Sequence, residues 1–256
     1  MSPRHVEGSG EHGPYATAHD RAVAGRYARR AQDWRLGAVV YQVMVDRFVA
    51  PHDLDAKRSL YEPWMTLREW SELPAVGHYV DAQRVWSHEI DFWGGDLAGL
   101  RTKIDHLEAL GADGLYLNPI FHASTNHGYD ATDYLAIAPW LGSRAEVSEL
   151  AEDLHSRGLK LVLDGVFNHV GLANSIFPEA QADPQSPYRN WFEFGDQFPG
   201  GVRAWALAQS LPELELDNPD VTQYLWSAPD SVVRSYLRDG VDGWRLDVAF
   251  ELGVGH

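Results

Sequence analysis

The stretch LKLVLDGVF, residues 159–167, decides the fold. It is a short, mostly apolar run that begins directly after a helix stop, and it reads as a β-strand. Before it, Ser143 and Glu146 form a capping-box pattern, Val147, Leu150 and Leu154 recur at helical spacing, and Gly158 closes the helix. Further upstream GLYLNPI (114–120) is a second short apolar run. The helix before it has Asp96 as N-cap, Leu97, Leu100, Ile104, Leu107 and Leu110 on one face, and Gly111 at its end. Earlier still, AVVYQVMV (38–45) is apolar nearly throughout, which predicts a strand covered on both faces, ending in Asp46-Arg47-Phe48. Downstream, Asn218-Pro219 caps a helix that runs to Leu237 and closes at Gly240. Pro229 lies inside it, and an interior proline costs about 3 kcal/mol, so this helix is expected to be kinked or split. VDGWRLDV (241–248) is the last strand.

Strand and helix alternate throughout, which predicts an α/β protein with a parallel sheet. A doubly wound sheet and a (β/α) barrel both begin this way. No Gly-rich phosphate loop follows any strand, which favours the barrel. Function gathers at the C-terminal ends of strands in either case, and that rule selects Asp46, Asn118, Asp164 and Asp247. A plain (β/α)8 barrel takes roughly 250 residues. The chain has 256, yet only four strands can be counted, because long loops (49–96 and 166–217) take up the difference. The expected fold is therefore a partial (β/α)8 TIM barrel, its first four βα strands present, with a long insertion at about 166–217 after strand 3. Residues 1–36, rich in Gly, His and Arg near the start, are expected to be a flexible N-terminal tail. Residues 37–256 would be the N-terminal half of the barrel.

Composition narrows the function classes. Net charge is −16, which repels phosphate backbones and argues against nucleic acid. The absence of cysteine excludes disulfides, thiolate metal sites and thiol nucleophiles. The N-terminus lacks the apolar core of a signal peptide and no run approaches membrane-spanning length, so a cytoplasmic protein with no membrane partner is expected. Ten Trp and eleven Tyr suit either a core of large rings or a cleft where rings stack on sugars.

The chemistry-bearing residues sit at the strand ends. DGVFNH supplies Asp164, Asn168 and His169, GWRLD supplies Arg245 and Asp247, and NHGYD supplies His127, Tyr129 and Asp130. Carboxylates, a guanidinium, an imidazole and an aromatic ring on one rim are what glycosyl transfer requires. A carboxylate attacks the anomeric carbon and the site stabilises an oxocarbenium-like transition state. Tyr129 could stack on a sugar ring, and Arg245 could keep Asp247 ionised and oriented.

FWGGDLAGL (92–100), GLYLNPIF (114–121), NHGYDATDY (126–134), DGVFNH (164–169) and GWRLDVAFE (243–251) together resemble the α-amylase superfamily, glycoside hydrolase family 13. The closest look is to the cyclomaltodextrinase, neopullulanase and maltogenic amylase group, over roughly residues 37 to 251. YRNWFEF (188–194) and LPELELDNPDV (211–221) fit the same group. The resemblance implies that Asp247 is the nucleophile and Arg245 its positioning partner. It implies that Asp164 and His169 bind sugar hydroxyls and that Tyr129 stacks on the sugar. Asp130 is expected either to contact the sugar or to anchor its loop. Asn168 matches a position that binds calcium in many relatives, but APHDLDAKRS (50–59) is not a convincing loop of oxygen ligands, so calcium is left open and no other cofactor is expected.

The sequence also departs from that family. Its general acid, a Glu ending strand five, and its third carboxylate, an Asp following a His at strand seven, would both lie beyond His256. Phe250 stands where the subgroup often has Asn, and only about 36 residues precede the first strand, where the subgroup has a sheet domain. Glu251 lies near enough to be considered as the acid, but no motif supports it. Two readings follow. One is a retaining hydrolase of α-1,4-glucosidic bonds in maltodextrins or cyclodextrins, inactive as this truncated chain. The other is a truncated, non-catalytic relative that binds carbohydrate or assembles, for instance as a homodimer. Each residue also has a structural alternative. Asp164 and Asp247 could cap strand ends, His169 and His127 could be hydrogen-bonded structural histidines, and Tyr129 could be packing. Asp46 and Arg47 are expected to form a structural ion pair.

Overall fold

A computed structural model describes residues 17–252. Contacts divide the chain into two units, residues 1–38 and 39–256. In the first, Ala18–Ala31 forms helix α1, so part of the expected tail is helical, while residues 1–16 lie outside the described residues. The reason is a reciprocal cap: Thr17 Oγ1 accepts from the Asp20 amide at 3.1 Å, and the Asp20 carboxylate accepts from the Thr17 amide at 2.8 Å. None of its side chains is buried, so no apolar period announces it.

The second unit is built on a parallel four-stranded sheet, made of β1 (Val40–Val43), β2 (Gly114–Leu117), β3 (Lys160–Gly165) and β4 (Gly243–Leu246), in that order across the sheet. Side chains alternate between the faces of a strand. On one face Val43, Leu115, Leu117, Leu161 and Leu163 are all buried. Helices cover them: α2 (Leu97–Arg101) and α3 (Ile104–Leu110) between β1 and β2, and α4 (Arg144–Ser156) between β2 and β3. Helix α4 buries Val147, Leu150, Ala151 and Leu154, the face its spacing predicted. The other face carries Gln42, Tyr116, Asp164 and Arg245, and register places Arg245 beside Asp164.

Three expectations need correction. The first strand is shorter than 38–45, and Val40 is exposed, because β1 is an edge strand paired only with β2. The helix after Asp96 breaks at Thr102–Lys103, and Leu110 is exposed; each spacing of three falls about 60° short of a full turn, which walks it off the buried face. Ser143 does cap α4, but the Glu146 carboxylate accepts from its hydroxyl, not from its backbone amide. The last helix is split at Pro229, as its interior proline led one to expect. Helix α6 (Pro219–Thr222) passes into a π-turn at Gln223–Ser227, Ala228 turns extended as the residue before proline must, and Ser231 caps α7 (Val232–Arg238). Between β3 and α6, residues 166–217 contain α5 (Ile176–Ala182) and short 3-10 turns, with isolated bridges such as His169 with Glu213.

The FWGGDL motif has a backbone reason. Asp46, buried at the end of β1, accepts hydrogen bonds from the amides of Trp93 (3.0 Å) and Gly94 (3.0 Å). Arg47 pairs with it at 3.6 Å, as the sequence led one to expect. Gly94 takes a left-handed φ of 81°, and a Cβ on Gly95 would stand 2.4 Å from the Val45 carbonyl oxygen. Both positions therefore require glycine. Under the strand ends, the Trp244 ring packs on Phe121, Phe167 and Tyr236 at centroid distances of 6.2, 5.3 and 5.7 Å. Among the described residues no helix is long and apolar enough to cross a membrane.

Candidate active site

Asp164 ends β3 with its side chain fully buried, and Arg245 stands beside it on β4. Arg245 Nη1 donates to Asp164 Oδ1 at 3.0 Å and to Asp247 Oδ1 at 2.6 Å, so one guanidinium joins both carboxylates. Burial alone would lower the Arg245 pKa, but its hydrogen bonds to Asp164 and Asp247 raise it, so the guanidinium stays charged. Burial pushes Asp164 above the usual carboxylate range, against the hydrogen bonds from Tyr116 and Arg245. Directly after Asp247, Val248 adopts φ 40° and ψ 47°. A β-branched residue there stores about 1–3 kcal/mol of strain, and such strain gathers where a side chain must be aimed.

The loop 124–130 joins the antiparallel strands Phe121–Ala123 and Ala131–Ile137 and brings Tyr129 over the sheet end. Tyr129 Oη donates to Asp164 Oδ2 at 3.0 Å, and its ring stays half-buried. Burial, followed by the Asp164 charge, pushes this phenol up to about 12, so it is a donor throughout the neutral range. Tyr116 Oη donates to the same Asp164 oxygen. Sequence reading missed Tyr116. The available signal was alternation: within GLYL it is the one residue that is neither aliphatic nor glycine, and register puts it on the polar face with Asp164.

Three sequence-predicted residues have other immediate partners than a sugar. Asp130 is buried, its Oδ2 accepting from the Ser124 amide at 3.1 Å and its Oδ1 from Thr125. It anchors the loop, one of the two roles read for it from the sequence. His169 is 1% exposed, and its Nε2 bonds the Tyr129 carbonyl at 3.1 Å while Nδ1 faces the Asn168 amide at 3.4 Å. Both nitrogens have internal partners, and His169 holds the Tyr129 loop. His127 bonds Thr125 Oγ1 and the Tyr129 amide, each at 3.1 Å, a loop hydrogen-bonder as read from the sequence.

Asn168 is the position at which calcium was left open. Its side chain hydrogen-bonds Glu213, and the cation beside Glu213 is Arg203, at 2.7 Å. Arg203 also stands 2.9 Å from Glu193 and 3.6 Å from Glu215. Among the described residues no group of three or more His, Cys, Asp or Glu is placed to hold a metal. A guanidinium already supplies the positive charge here, and the residues do not fit a calcium ion. The melting temperature should therefore stay the same in EDTA and in millimolar calcium; a rise with calcium would contradict this. Glu251 lines the small cavity of about 280 Å³ beside Arg203 and Glu213, whose lining includes neither Arg245 nor Asp247.

Residues 42–254 match the family described as "Alpha amylase, catalytic domain". The chain belongs to the α-amylase catalytic-domain family. Among its relatives are the intracellular maltogenic amylase of Bacillus subtilis, 36% identical over 87% of this chain and 35% of the relative. Neopullulanase 2 of Thermoactinomyces vulgaris is 35% identical over 86% of this chain and 35% of its own length. The ligand-free cyclic α-maltosyl-(1→6)-maltose hydrolase of Arthrobacter globiformis superposes with a TM-score of 0.71 at 34% identity, over 86% of this chain and 46% of that one. The chain thus spans about a third of the length of the curated relatives it matches. The α-amylase fold, an α/β TIM-barrel architecture, accounts for the parallel sheet and for a site built at its strand ends.

Proposed function

We propose that this protein is an α-glucan hydrolase, acting on α-1,4-glucosidic bonds of maltodextrins or cyclodextrins with retention. The observation that carries the reading is the single guanidinium of Arg245 shared between Asp164 and Asp247. Asp247 is the nucleophile: its carboxylate attacks the anomeric carbon, the glycosidic C–O bond breaks as the departing oxygen takes a proton from a general acid that is not among these residues, and water later cleaves the glycosyl ester. Arg245 orients it. Asp164 and Tyr129 contact the sugar at the cleavage point, while His169 and Asp130 fix the loop that carries Tyr129. The four strands are read as the first four of a (β/α)8 barrel, with 166–217 as its long insertion. The reading includes a cytoplasmic location, in keeping with the relative named as intracellular.

The test uses α-maltosyl fluoride, whose fluoride leaves without needing a protonating acid. Mass spectrometry of the wild-type chain, quenched and digested, is expected to find a glycosyl ester on Asp247, and none in Asp247→Asn. An ester on a different carboxylate, or none in the wild type, would overturn the nucleophile assignment. A second reading, a non-catalytic carbohydrate-binding or assembly partner, is favoured by the apolar edges of the sheet. Val40 on β1 is 43% exposed and Leu246 on β4 is 45% exposed. Exposed strand edges of this kind invite pairing with another chain, a second copy included. Under that reading the chain binds maltohexaose but forms no ester.

A further inference from the structure

Tyr129 reaches Asp164 from the loop 124–130, and that loop is tied to the excursion after β1. The Asn126 amide donates to the Glu89 carbonyl at 2.7 Å, and Asn126 Nδ2 donates to the carbonyls of His88 at 2.7 Å and Asp91 at 2.8 Å. These bonds bring the Glu89 side chain to the next residue of the loop, His127, whose Nε2 lies 3.5 Å from Glu89 Oε1. The other carboxylate oxygen, Oε2, accepts from the Trp86 amide at 2.6 Å. It thereby closes the turn Ser87–Glu89 that follows the hairpin of Tyr79–Val80 and Val85–Trp86. Glu89 has one oxygen committed to its own backbone and one turned toward the imidazole.

The tautomer of His127 follows from its partners. Its Nδ1 lies 3.1 Å from the Tyr129 amide, and an amide N–H can only donate, so Nδ1 carries no proton. Thr125 Oγ1, also 3.1 Å from Nδ1, is compatible with this, because its single proton can go to Nδ1 or to Asp130. A neutral imidazole with a bare Nδ1 holds its proton on Nε2, the nitrogen that faces Glu89. The imidazole in turn holds the Glu89 carboxyl below the usual carboxylate range, so the group is ionised and only accepts. Charge and tautomer agree. A carboxylate at Nε2–H leaves Nδ1 free to take the Tyr129 amide, and Tyr129 Oη donates to Asp164 at 3.0 Å.

We propose that Glu89 is a positioning residue for the candidate active site: by fixing the Nε2–H tautomer of His127 it sets the Tyr129 backbone, and so the approach of Tyr129 to Asp164 and the sugar. The contact with sugar rests on the proposed glucan hydrolase reading. Glu89→Gln and Glu89→Ala test the role together. The Trp86 amide needs an acceptor, so the glutamine keeps its carbonyl oxygen there and turns its NH2 toward Nε2, where it donates. That drives the imidazole proton to Nδ1, which has Thr125 Oγ1 to receive it and no longer accepts from Tyr129. Heteronuclear NMR of the imidazole nitrogens, at about pH 8 where an imidazole is neutral, reads the tautomer directly. The wild type and Glu89→Ala should show Nε2–H. Glu89→Gln should show Nδ1–H, with the Tyr129 amide proton shifted upfield. Ester formation at saturating α-maltosyl fluoride should slow about tenfold or more in Glu89→Gln, and less in Glu89→Ala. A merely structural Glu89 gives the opposite order, since glutamine keeps the shape and alanine does not. That order, or a wild type with its proton on Nδ1, would overturn the positioning role. A wild type that shows Nε2–H yet forms no ester would overturn the hydrolase reading and leave the hold on Tyr129 standing.

Discussion

An Arg245→Met variant is expected to lose about 3 kcal/mol of stability at pH 7. Removing one partner of a buried ion pair strands the other charge, at a cost of about 3–5 kcal/mol, and the lower end applies because Arg245 is 44% exposed. The stranded group is Asp164, fully buried and left with the Tyr116 and Tyr129 hydroxyls as its donors. Burial already raises its pKa, and loss of the guanidinium raises it further. The folded state then holds a proton that the unfolded state releases above about pH 4. The deficit relative to wild type should therefore be small near pH 4 and grow as pH rises. Adding Asp164→Asn should recover most of the loss at pH 7, since the fully buried charge is then gone. Chemical denaturation of the wild type and the two variants across that range checks both points. A deficit equal at pH 4 and pH 7, with no recovery in the double variant, would show that Arg245 acts only by packing.

Acidification should destabilise the wild type through His169. Burial pushes its pKa down to about 4, whereas in the unfolded chain it titrates near 6.5. Between those values the unfolded state binds the extra proton, so stability present above pH 6.5 is lost as pH falls toward 4, by about 3 kcal/mol. Asp46, Asp130 and Asp164, raised by burial, tilt the curve the other way just above pH 4. The imidazole is isolated by comparing wild type with His169→Gln. The variant should be less stable at pH 7 but flatter between pH 6.5 and 4. Parallel curves would mean that His169 is not held neutral.

Much of this architecture was legible in the sequence, and the failures have physical causes. The spacing of Val147, Leu150 and Leu154 and the Gly158 stop were sufficient for α4, because its buried stripe follows the helical period. Asp164, Arg245 and Asp247 were found because charged groups at the end of an apolar run are costly without a purpose. Tyr116 was missed because its meaning depends on register: nothing in GLYL shows that Val162 will lie beside it and Asp164 two residues further along the same face. Helix α1 was missed because it buries nothing, leaving only its Thr17–Asp20 cap as a signal. Asp130 and His169 were placed at the right corner, but which of their atoms the backbone would claim is decided by loop closure, which no local pattern encodes.

The Asp46 clasp has a consequence for how such a protein can change over generations. By holding the amides of Trp93 and Gly94, it pins together the two ends of the excursion that carries Tyr79 and Trp86. Once the ends of a loop are fixed, doubling its length costs only about 0.6 kcal/mol in closure entropy. Residues can be gained or lost between the pins with little effect on the sheet or on the Arg245 bridge. The clasp thus separates what must be inherited intact, the sheet end with its Arg245 bridge, from what is free to drift, the loop between the pins ahead of Trp86 and Glu89.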